Sequence, residues 1–202
     1  MNPIAMLPPR LRSAAEIVLT LVVAIVIAYV AQAYVVKPYR VPSASMWPTL
    51  KPGDRLIADR LSLAFRDPAR GEIVVFHPPT CVAGENKEGV CSTTDRTRRV
   101  GPSSQTFVKR VIGLPGELIW AKVGNVWVKS PGKPAVRLPE AYLHRVRTAG
   151  FAKTLLPAGC YFMMGDNRHN SYDSRMWGCE PRSDILGIAR IRYWPLDHIG
   201  IL

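Results

Sequence analysis

Two serines one residue apart, Ser43 and Ser45, lie in the string VPSASMWPTL (41–50), bracketed by Pro42 and Pro48. A serine hydroxyl attacks a carbonyl when a base removes its proton and donors stabilise the oxyanion, and imidazole is the usual base. No histidine lies within thirty residues of Ser45. Of the four in the chain, His77 ends an apolar run before two prolines, His144 lies in an irregular stretch, and His198 is four residues from the C-terminus. His169 is the most tempting, because GDNRHNSYDSR sets it beside Asp166 and Asp173. A surface histidine in a polar turn is the simpler reading of it.

Lysine replaces histidine when burial lowers its pKa enough to leave a neutral amine. In FVKRVIGLPGE (107–117) a two-residue period puts Phe107, Lys109 and Val111 on one strand face and Val108, Arg110 and Ile112 on the other. Lys109 then projects between two large apolar neighbours. Taken alone, the segment reads better as an edge strand with an ordinary, half-exposed lysine.

The elements that must position these groups begin with an apolar run, Ile17 to Val36, twenty residues interrupted only by Thr20 and Gln32. As a helix it measures about 30 Å, the hydrocarbon thickness of a bilayer. Arg10 and Arg12 precede it and Lys37 and Arg40 follow, so loop charge alone does not orient it. The competing reading is a cleavable leader ending at Ala31-Gln32-Ala33. The run continues past that site through Tyr34-Val35-Val36, and Glu16 stands at its start, which favours an uncleaved anchor. In either case the body lies outside the cytoplasm.

After the run, 18 prolines and 15 glycines in the 202-residue chain, with few helix-period patterns, point to a mostly antiparallel β body. Strands are expected at 55–59, 72–77, 107–112, 118–122, 126–129, 160–164 and 188–194, with a hairpin turn at Gly124-Asn125 and a short helix around 140–147. The polar stretch 81–106 reads as a loop. In 188–194, Ala189, Ile191 and Tyr193 alternate with Arg190 and Arg192. The domain plan is a cytoplasmic N-terminus (1–14), a transmembrane helix (15–37) and an extracytoplasmic body (38–202) with an inserted lobe at 118–158.

A net charge of +12 suits a solvated or lipid-facing surface. The basic residues are scattered and show no aromatic-interleaved run, so nucleic acid is disfavoured. The four cysteines show neither zinc-site nor thioredoxin-like spacing. An exported body permits disulfides, and of the three connectivities Cys81–Cys91 with Cys160–Cys179 is favoured. Four reduced thiols remain the alternative.

Four strings change the balance: VPSASM near a membrane, RGEIVVFHPP, KRVIGLPGE and MGDNRHNSYDSRMWG, in that order. Together they resemble the type I signal peptidase (bacterial leader peptidase) family, from the apolar run to about Tyr193. The resemblance implies Ser45 as nucleophile, Lys109 as general base, and Ser43 with the Ser45 N–H as the oxyanion hole. It implies that Ser171 orients the lysine amine, that Asp173 and Arg175 form an ion pair supporting that loop, and that Asp166 pairs with Arg110. Met46, Phe76, Phe107 and Met164 are candidate pocket walls, equally readable as core. His169 stands where the family commonly has Asp, the inserted lobe is short, and one anchor is visible where the family has one or two.

The implied activity is removal of signal peptides from exported preproteins after small residues, in Ala-x-Ala sites, by a single-pass monomer of the inner membrane. Its partners are preproteins and lipids, and it needs no metal or cofactor. A pilin-type maturation peptidase of conjugation systems would use the same pair of residues. A secreted basic binding module, with its leader cut after Ala33, is an alternative of another class. A cytosolic repressor-like autoprotease is disfavoured by the apolar run and the lack of room for a DNA-binding element.

Overall fold

The computed structural model describes residues 9–30, 35–83, 87–90, 99–102, 104–143 and 146–202. Helix α1 (Pro9–Val30) comes first. Three strands and a short helix then bracket the serine loop: β1 (Val36–Arg40), a 3₁₀ turn (Ala44–Met46), β2 (Arg55–Asp59), α2 (Ser62–Phe65) and β3 (Ile73–Phe76). The chain continues through β4 (Pro79–Ala83), β5 (Lys87–Val90), β6 (Arg99–Pro102) and β7 (Phe107–Gly113). Next come β8 (Leu118–Lys122), β9 (Asn125–Lys129), β10 (Val136–Arg137) and β11 (Phe151–Leu155). It closes with β12 (Cys160–Met164), α3 (Ser174–Trp177), β13 (Glu180–Pro181), β14 (Ile185–Trp194) and β15 (Gly200–Ile201).

The main sheet runs β1-β2-β14-β3-β7-β12-β13, with β15 on β14; a second, β10-β9-β8-β11, spans the lobe, and β5-β4-β6 forms a third. The recorded strand pairs are antiparallel. Strand β3 explains why the sheet holds together: all four of its residues are buried. Val74 and Phe76 pack with Val111, Met163 and Trp177 on one side. Ile73 and Val75 pack with Met46, Leu50, Leu56 and Val108 on the other. A strand covered on both faces has no solvent side to alternate toward, hence the unbroken Ile-Val-Val-Phe. Its neighbour β7 is thereby central, with Lys109 opposite Val74. A third cluster, including Ile112, Ile119, Val128, Phe162 and Met164, joins the lobe to the body.

Several expectations need correction. Within 81–106, read as a loop, lie parts of β4, β5 and β6; a segment rich in Gly, Ser, Thr and charge lacks the apolar alternation by which a half-buried strand is recognised. Cys91, and with it the expected Cys81–Cys91 bond, lies outside the described residues, as does His144. The β8–β9 turn is Val123-Gly124, one residue earlier than expected, because Lys122 pairs with Asn125. Both turn residues have positive φ, 52° and 78°, the geometry of a tight hairpin, so the register overrides the poor fit of valine. Where a helix is expected around 140–147, the described residues form one 3₁₀ turn, Ala141–Leu143. In β14 the alternation breaks at an irregularity between Ala189 and Ile191, leaving Ile191 40% exposed.

The apolar run divides. Helix α1 ends at Val30, and Val36 and Lys37, assigned above to the span, belong to β1, where residues 36–40 pair with 55–59. Pro38 does not fit a helix interior, and the β2 edge satisfies the backbone instead. Residues 31–34, with the leader-like Ala-Gln-Ala, lie outside the described residues. Among the described residues no helix is long and apolar enough to cross a membrane.

Cys160 and Cys179 form a disulfide, Cα atoms 5.6 Å apart and 19 positions apart in sequence. It closes a loop holding the whole GDNRHNSYDSR segment. Replacing both cysteines by alanine should lower unfolding stability by about 3 kcal/mol through the larger entropy of the open unfolded chain. Urea unfolding measures this; an unchanged midpoint would show that the bond adds no constraint.

Candidate active site

Strand β7 and the 3₁₀ turn bring together two groups 64 positions apart: Lys109 Nζ and Ser45 Oγ are 2.7 Å from each other. Lys109 is 3% exposed. Its amine also donates to the Val108 carbonyl at 3.1 Å and sits 5.1 Å from the Phe107 ring centre. Burial lowers its pKa from 10.5 to about 8, against the pull of Asp173 and Asp166 in the other direction. Those carboxylates do not restore the ordinary value because each has a closer cation.

Asp166, fully buried, accepts from Arg110 Nε at 2.9 Å and Nη2 at 2.6 Å, and from Thr49 Oγ1 at 2.6 Å. One carboxylate thus ties the serine loop, the lysine strand and its own turn together. Asp173 accepts from Arg175 Nε and Nη2, each at 2.8 Å, and from the Gly165 N–H at 3.0 Å. Burial opposes ionisation of Asp173, but Arg175 and the Gly165 amide outweigh it and hold the carboxyl below its usual pKa. Arg175 also donates to the Arg168 carbonyl at 2.7 Å, which closes the turn on itself.

Ser43 Oγ lies 3.2 Å from Ser45 Oγ and donates to it. Ser171 is placed differently from what the resemblance implies: its buried Oγ makes no bond to the lysine amine and lies against Asp173, whose carboxyl it helps keep ionised. It faces Gly165 instead, where an added Cβ would collide with Ser171 Oγ and the Ser45 carbonyl. Glycine is what allows those two segments to touch. His169 is exposed, and neither Ser45 nor Lys109 is bonded to it.

Beside the Ser45–Lys109 contact lies a cleft of about 310 Å³, lined by Pro42, Ser43, Ser45, Phe107, Lys109 and Tyr172 among others. Of the four pocket candidates only Phe107 faces it. Met46, Phe76 and Met164 are fully buried in three separate core clusters: Phe76 and Met164 stand on strands covered on both faces, and Met46 sits on the 3₁₀ turn packed against one of those faces. Sequence reasoning missed Asn170 and Tyr172, which also line the cleft, and Thr49 and Asn167, which hold the serine loop. All four stand in strings already singled out, yet nothing in a string says which side chain turns inward. Among the described residues no cluster of His, Cys, Asp and Glu could hold a metal ion. A hydroxyl 2.7 Å from an amine of lowered pKa is equipped for nucleophilic attack on a carbonyl.

Comparison with known proteins gives the family. The family model for signal peptidase, peptidase S26, matches residues 14–194. A probable signal peptidase I-2 of Synechocystis sp. is 38% identical over 91% of this chain and 74% of its own length. The signal peptidase I of Leptolyngbya laminosa is 37% identical over 91% of this chain and 81% of its own length. A crystal structure of a signal peptidase I from Enterococcus faecalis V583 matches 61% of this chain and 97% of its own, at 26% identity and a TM-score of 0.42. The chain therefore belongs to the signal peptidase family, peptidase S26, and is a serine endopeptidase.

Proposed function

We propose that this chain removes signal peptides from exported preproteins at the membrane surface, with Ser45 as nucleophile and Lys109 as general base. The observation that carries the proposal is the 2.7 Å contact between Ser45 Oγ and an amine whose burial lowers its pKa to about 8. At neutral pH roughly one amine in ten is then unprotonated, against fewer than one in a thousand for an ordinary lysine.

The neutral amine takes the Ser45 proton as Oγ bonds to the scissile carbonyl carbon. The carbonyl electron pair moves onto oxygen, and the Ser45 N–H and Ser43 hydroxyl donate to that oxyanion. Its collapse breaks the C–N bond, and the ammonium of Lys109 passes its proton to the leaving nitrogen. Water then attacks the Ser45 ester, Lys109 again taking the proton; collapse breaks the C–Oγ bond, the ammonium returns its proton to Ser45 Oγ, and the peptide acid leaves. A cleft of about 310 Å³ with Phe107 and Tyr172 in its walls favours small side chains at the cut, as in an Ala-x-Ala site.

Membrane attachment rests on α1. Its large apolar side chains point to solvent on every side, with Ile17 62%, Ile25 67% and Tyr29 74% exposed, a surface that suits lipid and not water. A single-pass attachment accords with that reading, as does a client whose own apolar segment lies in the same bilayer; a cytoplasmic N-terminus and an extracytoplasmic body belong to the proposal because exported preproteins are cut after they cross.

In detergent, Ser45→Ala and Lys109→Ala should each lower kcat on a preprotein with an Ala-x-Ala site by about a thousandfold or more, and His169→Ala should stay within about twofold of wild type. Retained cutting by Lys109→Ala would sink the proposed mechanism. Because the proton must be absent for catalysis, kcat/KM should rise tenfold per pH unit below pH 8 and level off above about 8. A profile flat from pH 6 to 10 would contradict a lysine base. The same shift has a stability consequence: between about 8 and 10.5 the unfolded chain holds a proton on Lys109 that the folded chain has lost, so stability rises with pH across that window. Lys109→Met should flatten the rise in thermal melts, and a rise left unchanged would assign it to another group.

A further inference from the structure

Resting on the serine–lysine mechanism proposed above, we infer that Asn167 is a positioning residue that aims the Ser45 N–H at the oxyanion. The Asn167 side-chain Nδ2 donates to the Ala44 carbonyl at 3.1 Å, and its backbone N–H donates to the Ser45 carbonyl at 3.0 Å. One residue, 123 positions from Ala44, therefore grips the peptide groups on both sides of the nucleophile.

The consequence comes from peptide planarity. The Ala44–Ser45 bond is trans, and in a trans peptide the C=O and the following N–H are rigidly coplanar and point in opposite directions. Pinning the Ala44 carbonyl fixes where the Ser45 N–H points. Asn167 is not among the residues lining the cleft, whereas Ser43, Ala44 and Ser45 are, so the N–H opposite the pinned carbonyl is directed to the cleft side. The Ala44 carbonyl has one other donor, the Trp47 N–H at 3.1 Å, which comes from its own 3₁₀ turn and moves with it. Asn167 is an external anchor. Its neighbours are fixed: Asp166 by Arg110 and Thr49, and Arg168 by the Gly165 carbonyl at 3.0 Å and by Glu140 at 2.6 Å. A donor is required at this point, because a carboxylate oxygen would repel the carbonyl it faces.

The test is steady-state kinetics of the full chain in detergent for wild type, Asn167→Asp and Asn167→Ala. Alongside it run inhibition by a substrate-derived peptide aldehyde, whose adduct with Ser45 places an oxygen in the oxyanion position, and by an uncleavable peptide of the same sequence. Both variants should lose about 10- to 100-fold in kcat with KM nearly unchanged, part of the 10²- to 10³-fold that deletion of an oxyanion donor costs. The aldehyde should weaken in parallel, while the uncleavable peptide binds as before and the pH limb stays near 8, because the base is untouched. A kcat within about twofold of wild type, a loss confined to KM, a displaced pH limb, or both variants failing to melt cooperatively would each overturn the inference. Ser45→Ala and Lys109→Ala run beside them as controls. If these still cut, the mechanism itself has failed; if they are dead while Asn167→Asp is fully active, only the role of Asn167 has.

Discussion

An ammonium withdrawn from water loses several kcal/mol of hydration, and a lysine held that way releases its proton unless counter-charges make up the loss. Lys109 is 3% exposed, and the two carboxylates within electrostatic reach, Asp173 and Asp166, are each occupied by an arginine. The amine is thus denied both water and an unshared anion. Much of the body arranges this condition. Strand β3 seals one edge of β7, the aromatic ring of Phe107 lies against the amine, and the acids that would recharge it are turned toward Arg110 and Arg175.

The second requirement is that a loop from the start of the body meet the middle of a strand 64 positions later. Two turns meet to do it. The segment 165–175 presses against 44–49 so closely that only glycine fits at 165. Asp166 reaches Thr49 while holding Arg110, so the loop, the strand and the turn share one carboxylate. Arg168, with its side chain fully buried against Glu140, Thr148 and Tyr142, ties the same turn to the part of the lobe between β10 and β11. The lobe is in this way part of the scaffold that holds Ser45, and the disulfide from Cys160 to Cys179 closes the turn at its base.

The route into the body also matters. Helix α1 ends at Val30, β1 starts at Val36 and runs beside β2, and the next segment carries Ser43 and Ser45. On the proposed membrane attachment, few residues separate the lipid surface from the nucleophile, so a preprotein held by its own apolar segment meets the cleft without unfolding the enzyme.

Much of this was legible in the residues alone, and the parts that were not share a cause. The two-residue period of FVKRVI put Lys109 on its face, and the turn residues around 52–54 and 113–116 bounded strands that form where expected, because both signals are local and depend on backbone preferences within a few positions. The strands in 79–102, the early turn at Val123-Gly124 and the irregularity in β14 were not legible, since register and pairing are settled by partners elsewhere in the chain. The site divides in the same way. Ser43, Ser45, Lys109 and the acid–arginine pairs could be named only because four strings in order resemble the signal peptidase family; taken alone, Lys109 read as an ordinary lysine on an edge strand. That Met46, Phe76 and Met164 lie in the core while Tyr172 and Asn170 wall the cleft depended on which faces the second sheet and the serine loop cover. The amino-acid sequence by itself determined which groups could react and which strand carries Lys109. Only the tertiary structure decided that the amine would be dry, that Ser171 would face Gly165 and not the amine, and that Asn167 would hold the serine's peptide groups. Desolvation and hydrogen-bond direction are properties of what packs against a residue and cannot be read from the residue itself.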